Sequence, residues 1–210
     1  MEYNPEIHHR RSIRFKGYDY SSVGAYFVTL CVQANLRLFG NIIDGQMQLN
    51  PAGQMITKWY NELEYKFSDV HCDAFVCMPN HLHFIVVNIG KPKPPSVVGA
   101  DLCVCPESQI GSSTYKKGEH IGSPLRTLPV PIPGEHRGSP LPKVVQWFKT
   151  MTTNDYIRGV KHKNWPSFKG KLWQRNYYEH IIRNDYDLNL IREYIANNPL
   201  LWHEDNYYAE

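Results

Sequence analysis

The stretch Ala74–Val87, AFVCMPNHLHFIVV, sets two apolar, strand-like runs around a Met-Pro-Asn turn and opens the second run with His81-Leu82-His83. Side chains on a strand alternate between faces, so His81 and His83 point one way while Leu82, Phe84 and Val86 point the other. The apolar set anchors the strand in a core. The two imidazoles, side by side on a rigid element, form half of a divalent-metal site whose remaining ligands come from elsewhere in the chain. A bare His-x-His fits two satisfied surface histidines equally well, so the surroundings of the pair carry the weight.

The rest of the chain alternates strand and helix signals. Gly24–Val32, GAYFVTLCV, has the β-rich composition of a buried strand, and Leu38–Leu49 reads as a hairpin turning at Asp44-Gly45. Asn50 as N-cap and Pro51 as first helical residue then open an amphipathic helix along Met55, Ile56, Trp59, Tyr60, Leu63 and Phe67. The aromatic stripe on that helix is core packing. His71–Val87 forms two strands around Met78-Pro79-Asn80. A second helix runs over Lys143–Arg158 and ends before Gly159. LWQRNYYEHIIRND, at 172–185, supplies the last strand, and Asp185 or Asp187 caps a final helix through Leu190, Ile191, Tyr194 and Ile195 to Pro199. Strands with helices inserted between them predict an α+β sheet with helices packed on one face.

Residues 91–142 break this regularity, with recurring prolines and no sustained hydrophobic period. The segment GEHIGSPL at 118–125 returns as GEHRGSPL at 134–141, too short a unit in too few copies for a solenoid. The expectation is a single domain over 1–210 carrying a flexible insert at about 91–142, with His120 and His136 incidental copies of the repeat. A content of 42% hydrophobic and 20% charged residues excludes a largely disordered chain. The net charge of +3 suggests a polyanionic partner only weakly, but HHRRSIRFK concentrates Arg10, Arg11, Arg14 and Lys16 in an arm that can track phosphates. Composition alone leaves a solvated tail open there. No apolar run approaches the ~20 residues that span a bilayer, and the N-terminus lacks a signal-peptide core, so the expected location is cytoplasmic. Five cysteines without a Cys-x-x-Cys pair read as reduced thiols.

MPNHLHFIV, at 78–86, resembles the HUH motif of single-tyrosine transposases and related rolling-circle nucleases. YDYSSVGAYFVTLCV at 18–32, LFG at 38–40, LWQRNYYEHIIRND at 172–185 and IREYIANNP at 191–199 resemble, in order, segments of the REP-associated tyrosine transposases. The resemblance covers nearly everything outside about 91–140. It implies a ferredoxin-like antiparallel sheet, His81 and His83 as ligands of a divalent metal, Mg2+ or Mn2+, and Tyr194 as a nucleophile that becomes covalently linked to DNA. Asn198 lies one helical turn on, at the offset where related insertion-sequence transposases carry a metal-ligating glutamine; an amide oxygen suits a hard cation. The implied partner is single-stranded or hairpin DNA, met by a monomer or homodimer through the basic arm and through Trp173, Arg175 and Arg183 as stacking and phosphate contacts.

Spacing alone leaves Tyr156, Tyr177 and Tyr178 as rival nucleophiles, and Glu179 and His180 read equally as buried partners of each other. Two other functions stay open from the residues. One is a non-catalytic DNA- or RNA-binding ferredoxin-like module with incidental histidines. The other is a zinc-dependent hydrolase using His81, His83 and a third histidine such as His180.

Overall fold

Every residue of strand β1, Gly24–Cys31, is buried after the first, and every residue of β5, His81–Asn88, is buried. Strands apolar on both faces need cover on both faces, and the architecture supplies it. The computed structural model describes residues 18–90 and 139–208. Between β1 and β5 come β2 (Gly40–Ile43), β3 (Gln46–Leu49), α1 (Pro51–Lys66) and β4 (Val70–Cys77); after β5 come α2 (Leu141–Lys163), β6 (Tyr178–Ile182) and α3 (Asp185–Asn197). Four strands pair antiparallel in the order β4-β5-β1-β6. That is the strand order of two interleaved β-α-β units, the ferredoxin-like arrangement. The β2-β3 hairpin is an addition between β1 and α1, and α3 is an addition after β6.

The α+β class and the antiparallel sheet match the sequence-based expectation, with one refinement of helix placement. Tyr26, Val28 and Leu30 of β1 and Leu82, Phe84 and Val86 of β5 pack with α1 and α2 in the main core. On the opposite face Ala25, Phe27, Ile85, Val87 and Ile182 pack with Leu188 and Ile195 of α3. Two helices therefore share one face and the third covers the other, the face that also carries His81 and His83.

Local chemistry explains the element ends. The Asn50 side chain accepts from the Gly53 amide at 2.9 Å and Pro51 follows at the first helical position. Asp44 and Gly45 both take positive φ, 51° and 70°, as a two-residue hairpin turn requires. The N-cap of α3 is Asn184, which accepts from the Asp187 amide at 2.8 Å; Asp185 and Asp187 sit in the first turn instead, where their charge suits the helix dipole. Helix α2 does not stop at Gly159 but continues to Lys163, ending at Asn164 in the left-handed region. Gly159 is internal because a Cβ there would lie 2.1 Å from the Trp165 ring, so the glycine serves packing rather than termination. The helix also begins at Leu141, inside the expected end of the insert.

Among the described residues no helix is long and apolar enough to cross a membrane. Arg10, Arg11, Arg14 and Lys16, and the stretch 91–138 with His120 and His136, lie outside the described residues.

Candidate active site

His81 and His83 are 0% and 1% exposed, and their Nε2 atoms face each other at 3.0 Å. The outer nitrogens decide what those inner atoms carry. Asn80 donates from Nδ2 to the backbone carbonyls of Tyr207 (2.7 Å) and Asn35 (3.3 Å), which aims its Oδ1 at His81 Nδ1, 2.8 Å away. An amide oxygen only accepts, so the His81 proton sits on Nδ1 and Nε2 presents a lone pair. His83 Nδ1 is 2.8 Å from Thr29 Oγ1, its cross-strand neighbour on β1, and the Tyr194 hydroxyl lies 3.3 Å from His83 Nε2. The Thr29 hydroxyl either accepts from His83 Nδ1, leaving a lone pair on Nε2, or donates to it, leaving His83 Nε2–H to donate to the His81 Nε2 lone pair. Burial pushes both imidazoles down to about 3, with His81 lowering His83 further, so neither is protonated near neutrality. Without a metal the 3.0 Å contact is an Nε2–H···Nε2 hydrogen bond; with both protons on Nδ1 the two Nε2 lone pairs are free to face a cation.

Oxygen donors complete the cluster. Asp205, just beyond a short 3₁₀ turn at Trp202–Glu204, brings Oδ2 to 3.5 Å from His81 Nε2, and ligand atoms of His81, His83 and Asp205 all lie within 4.8 Å of one another. The Tyr207 amide donates to Asp205 Oδ1 at 2.7 Å and Asn198 Nδ2 to Oδ2 at 3.2 Å, which orients the carboxylate. Asn198 is 3% exposed, and its Oδ1 is buried without a hydrogen-bond partner. A buried, unpartnered amide oxygen on a side chain whose Nδ2 bonds the Asp205 carboxylate, together with the His81-His83-Asp205 group, fits a divalent cation. Aromatic walls exclude water: Trp202 stacks on His81 at 6.0 Å, Phe27 on His83 at 5.5 Å, and the Tyr207 ring lies 4.8 Å from His81.

Tyr194 reaches this cluster from α3, its ring edge-on to Phe27 and 5.2 Å from that of His83. The residue is 44% exposed, in contrast to the covered histidines. Burial and then the Asp205 charge raise its pKa, partly offset by a hydrogen bond with Asn198, and the resting phenol holds its proton.

Among the rival tyrosines, Tyr178 shares the histidine face, opposite Thr29 on β1 and with its ring 6.3 Å from that of Phe27, while no contact joins Tyr156 or Tyr177 to the cluster among the described contacts. Tyr156 is fully buried and donates to the Pro166 carbonyl at 2.9 Å; Tyr178 is half exposed at the start of β6, and Tyr177 lies under Lys149, whose Nζ is 5.4 Å from its ring centre. Trp173 is not a stacking platform: it is 4% exposed in the main core, and its Nε1 donates to Thr152 at 2.9 Å. Arg175 and Arg183 are exposed. His180 does not pair with Glu179 but with Asp187, at 2.9 Å, and the carboxylate grouped with the two histidines is Asp205. Thr29, Asn80, Asp205 and Tyr207 are site residues that sequence reasoning missed. Asn80 adjoins the histidine motif and Thr29 follows once β1 is paired with β5; nothing local distinguishes Asp205.

No family model matches the chain. A protein of Haemophilus influenzae, itself uncharacterised, is 36% identical over 209 residues, covering 100% of this chain and 98% of the relative. The chain belongs to the family of that protein. The alignment runs through the stretch 91–142 as well as through the sheet and helices. Solved structures give weaker likenesses. A REP-associated tyrosine transposase bound to a REP hairpin superposes with a TM-score of 0.49 at 17% identity, covering 90% of this chain and 73% of that one. A candidate transposase from Deinococcus radiodurans R1 gives 0.41 at 12% identity, covering 89% and 97%.

Proposed function

We propose that the protein is a metal-dependent, single-tyrosine DNA strand transferase that cleaves and rejoins single-stranded DNA at short hairpins. The observation that carries this reading is the Tyr194 hydroxyl 3.3 Å from His83 Nε2, at the edge of a buried His-His-Asp cluster. A hydroxyl nucleophile on a half-exposed residue beside a cation site suits in-line attack on a phosphodiester. The order of motifs shared with the REP-associated tyrosine transposases supports the same reading.

His81, His83, Asp205 and Asn198 would hold the cation. When bound it supplies charge neutralisation for the phosphate and the departing oxygen. Two imidazole donors suit Mn2+ better than Mg2+, while the oxygen donors accept either. Tyr194 Oη attacks phosphorus and gives up its proton, the bond from phosphorus to the 3′-oxygen breaks, and that oxygen takes a proton to become a free 3′-hydroxyl. The chain is left with a 5′-phosphotyrosine. Because the phosphodiester has been exchanged rather than hydrolysed, a second 3′-hydroxyl can reverse the step without a nucleotide cofactor. Arg175, Arg183 and the basic arm at Arg10, Arg11, Arg14 and Lys16 are the proposed phosphate contacts. Trp173, expected as a DNA contact, is buried and is not among them.

The test is incubation with a labelled DNA hairpin carrying a flanking single strand, with Mn2+ or Mg2+. A covalent adduct that resists denaturant and maps to the peptide containing Tyr194 is expected. Tight hairpin binding with no adduct under either metal would replace this reading by the non-catalytic one.

A further inference from the structure

Helix α3 carries the nucleophile but buries little to hold itself in place: only Leu188 and Ile195 are fully buried, seven residues apart on one stripe, with Ile191 partly so. Such a stripe fixes which side of the helix faces the sheet but resists sliding and rolling poorly. A slide of one turn moves a side chain by about 5.4 Å, more than the whole Tyr194–His83 separation.

Polar contacts supply the missing constraint at both edges of the sheet. On edge strand β4, Arg192 Nε meets Asp73 Oδ1 at 2.8 Å and Nη2 meets Oδ2 at 2.5 Å, a two-bond fork that sets orientation as well as distance. The Arg192 Nη1 also donates to Asn189 on the same helix, at 3.2 Å. Asp73 occupies a break in strand register between Cys72 and Phe75, and its Oδ1 accepts from the Ala74 amide at 2.8 Å. Bulges re-aim side chains, and this one turns a carboxylate toward α3. On the other edge strand, β6, His180 sits opposite Phe27 and meets Asp187 of α3 at 2.9 Å. Tyr194 lies two residues beyond Arg192.

We propose that the Asp73–Arg192 and His180–Asp187 pairs are clamps at opposite sheet edges that hold α3 in register, making these four positioning residues for Tyr194. The proposal rests on Tyr194 as nucleophile for its catalytic consequence, but not for its structural one. Partly exposed polar pairs of this kind contribute little to global stability, so losing one shifts the helix without unfolding the chain.

The experiment compares the wild type with Arg192→Ala, Asp73→Ala, Asp187→Asn and the exchanged pair Asp73→Arg with Arg192→Asp. Backbone hydrogen exchange of α3 and β5 is followed alongside the single-turnover adduct rate and hairpin affinity. Faster exchange in α3 with β5 unchanged is expected, together with an adduct rate lowered by about a hundredfold, the scale of a ~1 Å misplacement. Hairpin affinity should stay unchanged, and the exchanged pair should recover part of both losses. Unchanged α3 exchange in Arg192→Ala would overturn the proposal. A wild type that forms no adduct defeats the nucleophile reading alone, because the exchange measurement still reports on the clamps.

Discussion

The carboxamide of Asn80 determines where the His81 proton sits, so a residue that need not touch a metal controls the donor that does. Outer-shell partners of this kind set the ligand tautomer, and losing one lowers metal affinity by about 10–100-fold. Asn80→Ala should therefore weaken Mn2+ binding on that scale in calorimetry while circular dichroism stays unchanged; undiminished affinity would show that the ring is oriented by other contacts. His81→Ala and His83→Ala should abolish both metal binding and adduct formation, and cleavage at wild-type rates in both variants would remove the metal assignment. The histidine pair was legible in the sequence because the two-residue period of a strand puts both rings on one face. Asp205 was not, because WHEDNYY has no periodicity to read and its carboxylate meets His81 only after the chain has closed over β5. Trp173 shows the opposite error: a tryptophan beside arginines reads as a nucleic-acid contact, yet its indole N–H is spent on Thr152 inside the core.

Helices and turns announce themselves through caps and backbone chemistry, and here the beginnings were more legible than the ends. Asn50-Pro51 marked the start of α1 correctly because both residues act locally. Gly159 misled because its reason is tertiary, the Trp165 ring lying where a Cβ would be. Gly53 belongs to the same class. Propensity favours alanine over glycine in a helix, but a Cβ at Gly53 would lie 2.3 Å from the Phe39 carbonyl oxygen. Gly53→Ala should thus lower stability by roughly 1–3 kcal/mol, the usual cost of overpacking. Chemical denaturation measures it, and a stabilised variant would mean that the hairpin and α1 separate freely. The placement of α3 on the histidine face was hidden for a related reason. A run such as Phe84-Ile85-Val86-Val87 shows that both faces are covered but not which helix covers each.

At the scale of the whole chain, the alternation of strands and helices made the α+β class readable, while the ferredoxin-like arrangement was legible only through the resemblance of the motifs. Described residues on either side of the stretch 91–138 converge on one polar clip. Asp69 accepts from the Ser139 amide and from its hydroxyl at 3.1 Å, and Asn88 Nδ2 donates to the Ser139 carbonyl at 3.4 Å and the Ser21 carbonyl at 3.2 Å. Because loop-closure entropy changes slowly with length, deleting most of 95–138 should preserve a single cooperative unfolding transition; loss of that transition would place the segment in the core. The central claim concerns one oxygen. Tyr194→Phe removes it from a half-exposed ring whose packing on Phe27 is retained, so hairpin affinity and thermal midpoint should match the wild type. The measurement is adduct formation on labelled hairpin DNA with Mn2+: the account predicts a covalent adduct for the wild type and none for Tyr194→Phe, and an adduct persisting in Tyr194→Phe would contradict it.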